Sequence, residues 1–380
     1  MCMRSSVNKK PTTQGANLEA FQEIWPISLV FVIFHFCFSW LAYAVETGKC
    51  SFSLMGILTR WDAFHYLDIA ERGYIGHGSI REMSQIAFPP FYSIIFRLFS
   101  VVFQSRVLSA LIVANLAYFA ATFLLYRLVR LDYDRAVARR AVLWLSVFPT
   151  SYFLHVPYTE SLFVALVLAS FFFARQDKWW LAGVMGLLAG MTRLQGLVLG
   201  LGLLTEYIFQ KGLEYRRWDR RIVAATIPCG ASLIYLGLNF RLFGNPFEFV
   251  KLHQQNWGKI SAPPWTGLAD ALHRFFFNAK DPWTYAASEL VAAAVGFILV
   301  CWIAKNMRRS YAVYSVLSLL VVFSWNFWMS TPRHLLGIFP LFIALALLFK
   351  KPASFYVASV FSILLQALLL SQFVQGRWAF

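Results

Sequence analysis

The chain has 380 residues, 59% hydrophobic and only 14% charged; a soluble domain carries nearer a quarter charged residues, so a soluble enzyme is excluded. The formal net charge is +16, yet no polar segment is large enough to present a basic face to nucleic acid, and the excess reads as loops against anionic headgroups. The ten-residue alternating segments of a membrane barrel are absent, and the five cysteines have neither metal-ligand spacing nor the even number of a disulfide framework.

In chain order, a polar stretch over residues 1–23 precedes the first apolar run near 25–45 and shows no small-residue cleavage site, so this run is expected to be a retained anchor. Further apolar runs lie near 107–126, 141–157, 160–174, 180–192, 195–210, 222–243, 287–304, 311–328, 335–349 and 353–371. Basic clusters orient them. Arg4, Lys9 and Lys10, then Arg127 to Arg140, Arg175 and Lys178, Lys211 to Arg221, Lys305 to Arg309, and Lys350 with Lys351 all fall on one side, which the positive-inside rule makes cytoplasmic. The run over 88–104 opens with Pro89-Pro90 and contains Arg97; a crossing there would break the parity, so an interfacial or re-entrant helix is expected. The expectation is an all-α polytopic protein: one domain over 1–380, about eleven transmembrane helices, the N-terminus inside. Outer loops 46–106 and 244–286 are its longest non-spanning segments.

Residues 60–74, RWDAFHYLDIAERGY, concentrate acid chemistry in a chain that has little of it. Helical spacing puts Asp62, His65, Tyr66 and Ile69 on one face, pairs Asp68 with Arg72 and stops the helix at Gly73. A carboxylate beside a histidine at a membrane surface suits proton abstraction from a hydroxyl. The structural alternative is a solvated interfacial helix with Asp62 as N-cap.

Other outward turns carry polar groups. Glu160 in VPYTES starts an apolar helix, Arg193 and Gln195 in GMTRLQG fall in a break, and Arg333 and His334 in STPRHLLGIFP sit at a helix end. Ionisable groups within spans cost roughly 2.5–3.5 kcal/mol on insertion scales, so they mark function or pairing. Singly, each also reads as an interface anchor or an ion pair such as Glu160 with Arg193; jointly they point to one outer cavity. In the second outer loop, FGNPFEFVKLHQQNWGK carries His253, Gln254, Gln255, Asn256 and Trp257. Amide, imidazole and indole groups suit a polyhydroxylated ligand, with Trp257 stacking on a sugar face; an amphipathic surface helix has the same pattern.

Asp132-Tyr133-Asp134 matches the D-x-D of nucleotide-sugar enzymes, but lies among arginines in a short loop and reads as a helix cap. Gly186 with Gly190 and Gly196 with Gly200 read as close helix packing. No P-loop, dinucleotide fingerprint or zinc-protease motif occurs. A transferase without a nucleotide fold would receive its activated group on a lipid carrier.

In this order, RWDAFHYLDIAERGY, AFPPFY, SVFPTSYFLHVPYTESLF, LLAGMTRLQGL, FGNPFEF with HQQNW, and RHLLGIFPLF resemble the PIG-V mannosyltransferase family of the wider GT-C class, over roughly residues 60–345. The resemblance implies a GT-C membrane fold with interfacial helices in the first outer loop. It implies inverting transfer of a sugar, mannose above all, from a polyprenyl or dolichyl phosphate. Asp62 would be the catalytic base, and Arg193, Arg333 and His334 candidates for the phosphate clamp. His65, Tyr66, Glu160, Gln195, His253, Gln255 and Trp257 complete the expected binding set. AFPPF and RLQG depart from the family's usual F-F-P and R-S-N-G, which leaves the acceptor open among a glycolipid, a polysaccharide precursor and a protein. The membrane would be the plasma membrane of a prokaryote or the endoplasmic reticulum of a eukaryote. No cofactor is firmly implied. A divalent cation held by Asp62, His65 and Asp68 or His77 is a competing reading, though a hard cation prefers more carboxylates than align here. A lipid or glycolipid transporter without covalent chemistry is the other.

Overall fold

The structure is a computed structural model and describes residues 13–50, 52–74, 82–212, 214, 216, 218–277 and 285–379. Cys2, Arg4, Lys9, Lys10, His77 and Arg217 lie outside the described residues. The fold is all-α. In order come α1 (Thr13–Thr47), α2 (Leu54–Leu58), α3 (Asp62–Arg72), α4 (Phe91–Phe103), α5 (Arg106–Val129), α6 (Arg135–Val147), α7 (Glu160–Arg175), α8 (Trp179–Gly190) and α9 (Leu199–Lys211). Then follow α10 (Arg221–Thr226), α11 (Gly230–Phe243), α12 (Glu248–Trp257), α13 (Pro264–Phe277), α14 (Ala287–Asn306), α15 (Arg309–Phe323), α16 (Thr331–His334), α17 (Pro340–Leu348) and α18 (Pro352–Val374). The β pairing among the described residues is one antiparallel bridge, Ser261 to Trp325.

Caps set several boundaries. Ser105 accepts the N–H of Leu108 at the start of α5 (3.3 Å), and Asp134 accepts that of Val137 at the start of α6 (2.8 Å). The D-x-D is therefore structural: Asp134 caps, and Asp132 pairs with Arg175 at 2.6 Å. Helix α3 runs as its spacing predicts, with Arg72 and Asp68 3.4 Å apart and Gly73, at φ 73°, closing it through a bond to the Ile69 carbonyl. The N-cap is Trp61, not Asp62; Asp62 is the first helical residue.

Packing centres on α5 against α7 and α7 against α8, with α17 on α6 and α15 on α9 and α14. The GxxxG glycines are contact points: a side chain at Gly186 would meet Pro228, and one at Gly190 would meet Ala231. Outer helices α1, α11, α14 and α18 expose large apolar side chains such as Val30, Leu233, Phe297 and Phe361. The chain is a multi-pass membrane protein.

Five described helical segments are long and apolar enough to cross a bilayer, or six if Thr331–Gly337 and Pro340–Leu348, bent by 93°, form one span. The eleven expected spans thus do not all meet helices of spanning length. Helices α6 to α9, α15 and α17 have 9 to 16 residues, against the 20 or so a crossing needs. Most side chains of α7 and α17 are buried by other helices, and a helix apolar all round is what such burial requires. Helix α4, within the expected interfacial run, has 13 residues, about 20 Å at 1.5 Å per residue.

The basic connections gather at one end. Arg175 and Arg308 bind Asp132 and the fully buried Glu206, and Arg130 and Arg135 bind Glu19 and Glu23. Helix α7 carries Arg175 into this network and Glu160 to the opposite end, about 22 Å away by helical rise.

Candidate functional site

Four chain breaks meet at the Glu160 end of α7. The first is the start of α3, with Asp62. The second is the turn between α8 and α9, where the helix stops at Gly190 and Arg193 precedes a short 3-10 turn. The third is the connection from α12 to α13. The fourth is the stretch after α15 that leads into α16, where the buried Glu289 carboxylate accepts the backbone N–H of Ser330 (2.6 Å) and Thr331 (3.0 Å). That contact fixes the turn that presents Arg333 and His334.

Between these breaks lies a cleft of about 190 Å³. Asp62, Tyr66, Arg193, Gln195, His253, Trp257, Arg333 and His334 line it, with Phe88, Lys259 and Trp325. Sequence-predicted residues from four separate stretches are thus brought together.

Behind the cleft runs a buried ladder of charge. Glu160, 2% exposed, places Oε1 between two guanidiniums and accepts from Arg193 Nη1 and from Arg333 Nε. Arg333 Nη1 donates to Asp62 Oδ2 at 2.7 Å. Its guanidinium carbon lies 4.5 Å from the Tyr158 ring centre and 4.9 Å from that of Phe153. Arg193 Nη1 also donates to Thr159 Oγ1 (3.1 Å), and its Nη2 bonds His334 Nδ1 at 2.7 Å. Since arginine only donates, His334 accepts at Nδ1 and is neutral there. The order Asp62–Arg333–Glu160–Arg193 alternates charge, as buried ions must, and ends on neutral His334.

Asp62 ends this ladder at the cleft wall. Its Oδ2 is taken by Arg333, while no described residue donates to Oδ1. Burial opposes its ionisation, but the charge and hydrogen bond of Arg333, with smaller help from His65 and Lys259, outweigh burial and hold the carboxyl below its ordinary value. Burial pushes the Tyr66 phenol up to about 12, with Asp62 adding to the effect, so it stays a neutral hydroxyl. The Gln195 amide is buried with neither Oε1 nor Nε2 bonded to a described residue. Such a buried group is one whose polar atoms need a partner.

The opposite wall is aromatic. Trp257 meets the Phe88 ring at 5.9 Å and His253 at 5.4 Å, and His253 meets Trp325 at 5.6 Å. His65 does not line the cleft; it stacks on Phe88 at 4.6 Å and backs the wall. Burial lowers its pKa, against the pull of Asp62 and Asp68. Glu160 likewise sits behind the cleft as the shared partner of the arginines. Gln255 departs from expectation. His253 and Trp257 are i, i+4 on one face of α12, which puts Gln255, at i+2, on the exposed far side and outside the cleft.

Sequence reasoning passed over Lys259, Phe88, Trp325 and Trp378, all of which line the cleft. Lys259 closes the FGNPFEFVKLHQQNWGK stretch, and its signal was a lone cation after a run of sugar-compatible side chains. Among the described residues no three His, Cys, Asp or Glu side chains converge as metal ligands. Asp68 is instead bonded by Gln85 and paired with Arg72.

A family model for dolichyl-phosphate-mannose-protein mannosyltransferases matches residues 88–236. That stretch holds Phe88, Glu160, Arg193 and Gln195, but not Asp62, Lys259 or Arg333. Among solved structures, an Archaeoglobus fulgidus oligosaccharyltransferase in complex with Zn and sulfate is 12% identical with a TM-score of 0.47, over 90% of this chain and 53% of that one. The same enzyme tethered to an acceptor peptide containing the NVT sequon is 12% identical with a TM-score of 0.48, over 94% and 56%. The chain therefore spans little more than half the length of either. A comparison with curated protein sequences gave no match.

Proposed function

We propose that this chain is an integral membrane glycosyltransferase of GT-C type. It transfers a sugar, with mannose the first candidate, from a polyprenyl-phosphate carrier to an acceptor hydroxyl with inversion. The observation that carries the reading is Asp62 itself: it lines a cleft with an aromatic wall, it is anchored through Oδ2 by Arg333, which holds its carboxyl below the ordinary value, and no described residue donates to its Oδ1. In the reaction the acceptor O–H gives its proton to Asp62 Oδ1 as its oxygen bonds to the anomeric carbon. The bond from that carbon to the carrier's phosphate oxygen breaks, and its electron pair leaves on the phosphate. Trp257 offers a face to the sugar ring, and Gln195 lines the cleft beside it.

The ordered motifs of the PIG-V resemblance and the mannosyltransferase match over 88–236 support the class and the sugar. The basic network at the Arg175 end of α7 supports a site on the non-cytoplasmic side. The acceptor is a glycolipid, a polysaccharide precursor or a protein. The test is to incubate the purified chain with a panel of polyprenyl-phosphate sugars and acceptors and to follow release of polyprenyl phosphate. Release with a mannosyl donor is expected. Lipid movement across vesicles with no new glycosidic bond would establish the transporter instead.

A further inference from the structure

We propose that Lys259 is the residue that binds the phosphate of the lipid carrier. This assignment rests on the glycosyltransferase reading and identifies the cation that meets the leaving group. The arginines are poorer candidates because their charges are already paired with carboxylates, Arg193 with Glu160 and Arg333 with both Glu160 and Asp62. Arg333 gives Nε to Glu160 and Nη1 to Asp62; Arg193 gives Nη1 to Glu160 and Thr159, and Nη2 to His334. An incoming phosphate would have to compete with two carboxylates for them. Glu289, the remaining nearby acid, is held by the backbone of Ser330 and Thr331. Lys259 is different. No described carboxylate lies within ion-pairing distance of it, and its ammonium sits 5.6 Å from the centre of the Trp325 ring, on the cleft wall. A compact ammonium with three rotatable donors and no acidic partner is a site for an oxyanion.

The backbone around Lys259 is strapped in place. Gly258, at φ 66°, ends α12, and the Lys259 N–H returns to the His253 carbonyl (3.2 Å). Ile260 then exchanges bonds with Asn326, its N–H to Oδ1 at 2.8 Å and the Asn326 N–H to its carbonyl at 2.9 Å. Asn326 Nδ2 also donates to the Gly258 carbonyl (3.1 Å), and the Ser261–Trp325 bridge follows. Segments 258–262 and 324–326 thus form one ledge that holds the ammonium over its indole.

The far side of that ledge explains why the phosphate belongs to a lipid. An apolar groove of about 740 Å³ runs between α13, α14 and α15, lined by Leu268, Phe297, Val300, Leu320, Phe323 and Trp328. Helix α13 reaches the ledge closely: a Cβ at Gly267 would fall 2.8 Å from the Trp325 carbonyl oxygen. Groove and cleft are lined by neighbouring residues of α15, Leu320 and Phe323 on the groove and Val321 and Val322 on the cleft, so a carrier with its phosphate on Lys259 is assigned this groove for its chain, which a free phosphate would leave empty.

The experiment is binding to the purified full-length chain of three probes: polyprenyl phosphate, the uncharged polyprenol and inorganic phosphate. Wild type should prefer polyprenyl phosphate to polyprenol, and inorganic phosphate should compete only weakly. Lys259→Met should weaken polyprenyl phosphate binding by about tenfold to a hundredfold, the worth of a charge-assisted bond. Its affinity for polyprenol should be unchanged, which also reports an intact fold, and Lys259→Arg should retain most of the preference. Unchanged phosphate binding by Lys259→Met, or an equal loss of both lipids in Lys259→Met and Lys259→Arg, overturns the assignment and leaves the enzyme reading standing. Inorganic phosphate competing as tightly as the lipid overturns the lipid source. A wild type that binds no polyprenyl phosphate fails the functional reading itself.

Discussion

Arg333 bonds Asp62 at 2.7 Å across 271 positions of sequence, and the same guanidinium bonds Glu160. One arginine therefore both orients the proposed base and keeps it charged. Asp62→Asn preserves the shape and an acceptor for Arg333 but removes the basic oxygen. Transfer should fall by about a hundredfold to ten-thousandfold, the usual contribution of a general base, while binding of the donor lipid persists. A variant with wild-type turnover would remove Asp62 from the mechanism.

Glu160 should behave differently from Asp62, because it faces no ligand. It is the shared counter-ion of two arginines, and Glu160→Gln leaves both in a buried setting with less compensation. Breaking a buried pair by removing one partner costs about 3–5 kcal/mol. Thermal unfolding in detergent should show a large loss of stability. If the variant melts with wild type, the ladder is not what holds these breaks together.

The helical phase of α12 separates neighbours. Trp257 lines the cleft and Gln255 points away. Trp257→Ala should reduce kcat/KM by about tenfold, since an aromatic face is worth around a kcal/mol beyond its buried area. Gln255→Ala should change it by less than about twofold, as exposed substitutions do. The opposite ranking would mean that the outer loop meets the sugar through its other face.

Much of this was readable from residue types and local rules. Gly73 stops α3, Asp134 caps α6, and Arg193 sits in a break because the apolar pattern fails there. Charges in an apolar chain marked Glu160, Arg193 and Arg333 as paired or functional. What stayed hidden was pairing at long range and helical phase. Nothing local says that Arg333 serves Asp62 or that Gln255 faces away. Hydropathy alone also does not separate burial of α7 and α17 by other helices from burial by lipid, because both demand the same side chains. The 93° bend before α17 that brings Arg333 and His334 to the cleft has no hydropathy signal either. Lys259 was overlooked because a lone lysine in a loop is ordinary; its meaning comes from the absence of a carboxylate beside it.

The ionisation of Lys259 supplies a pH test. Burial is the largest influence and lowers its pKa to about 8; Asp62 and Glu289 pull the value back up, while Arg333 and Arg193 push it down. An ordinary lysine titrates near 10.4. The form that holds a phosphate is the protonated one, so affinity should be full below about pH 8 and fall as pH rises through that value; a bound anion shifts the fall upward. The groups around it do not supply this limb. Asp62 is ionised well below it, His253 is lowered to about 4 by burial and by Lys259, and His65 is lowered by burial. His334, as an acceptor from Arg193, is already neutral. Lys259→Arg keeps its charge throughout. Binding of polyprenyl phosphate between about pH 6 and pH 10 should therefore show an alkaline limb in wild type and none in Lys259→Arg. The same limb in both proteins would assign the titration to another group and take the phosphate away from Lys259.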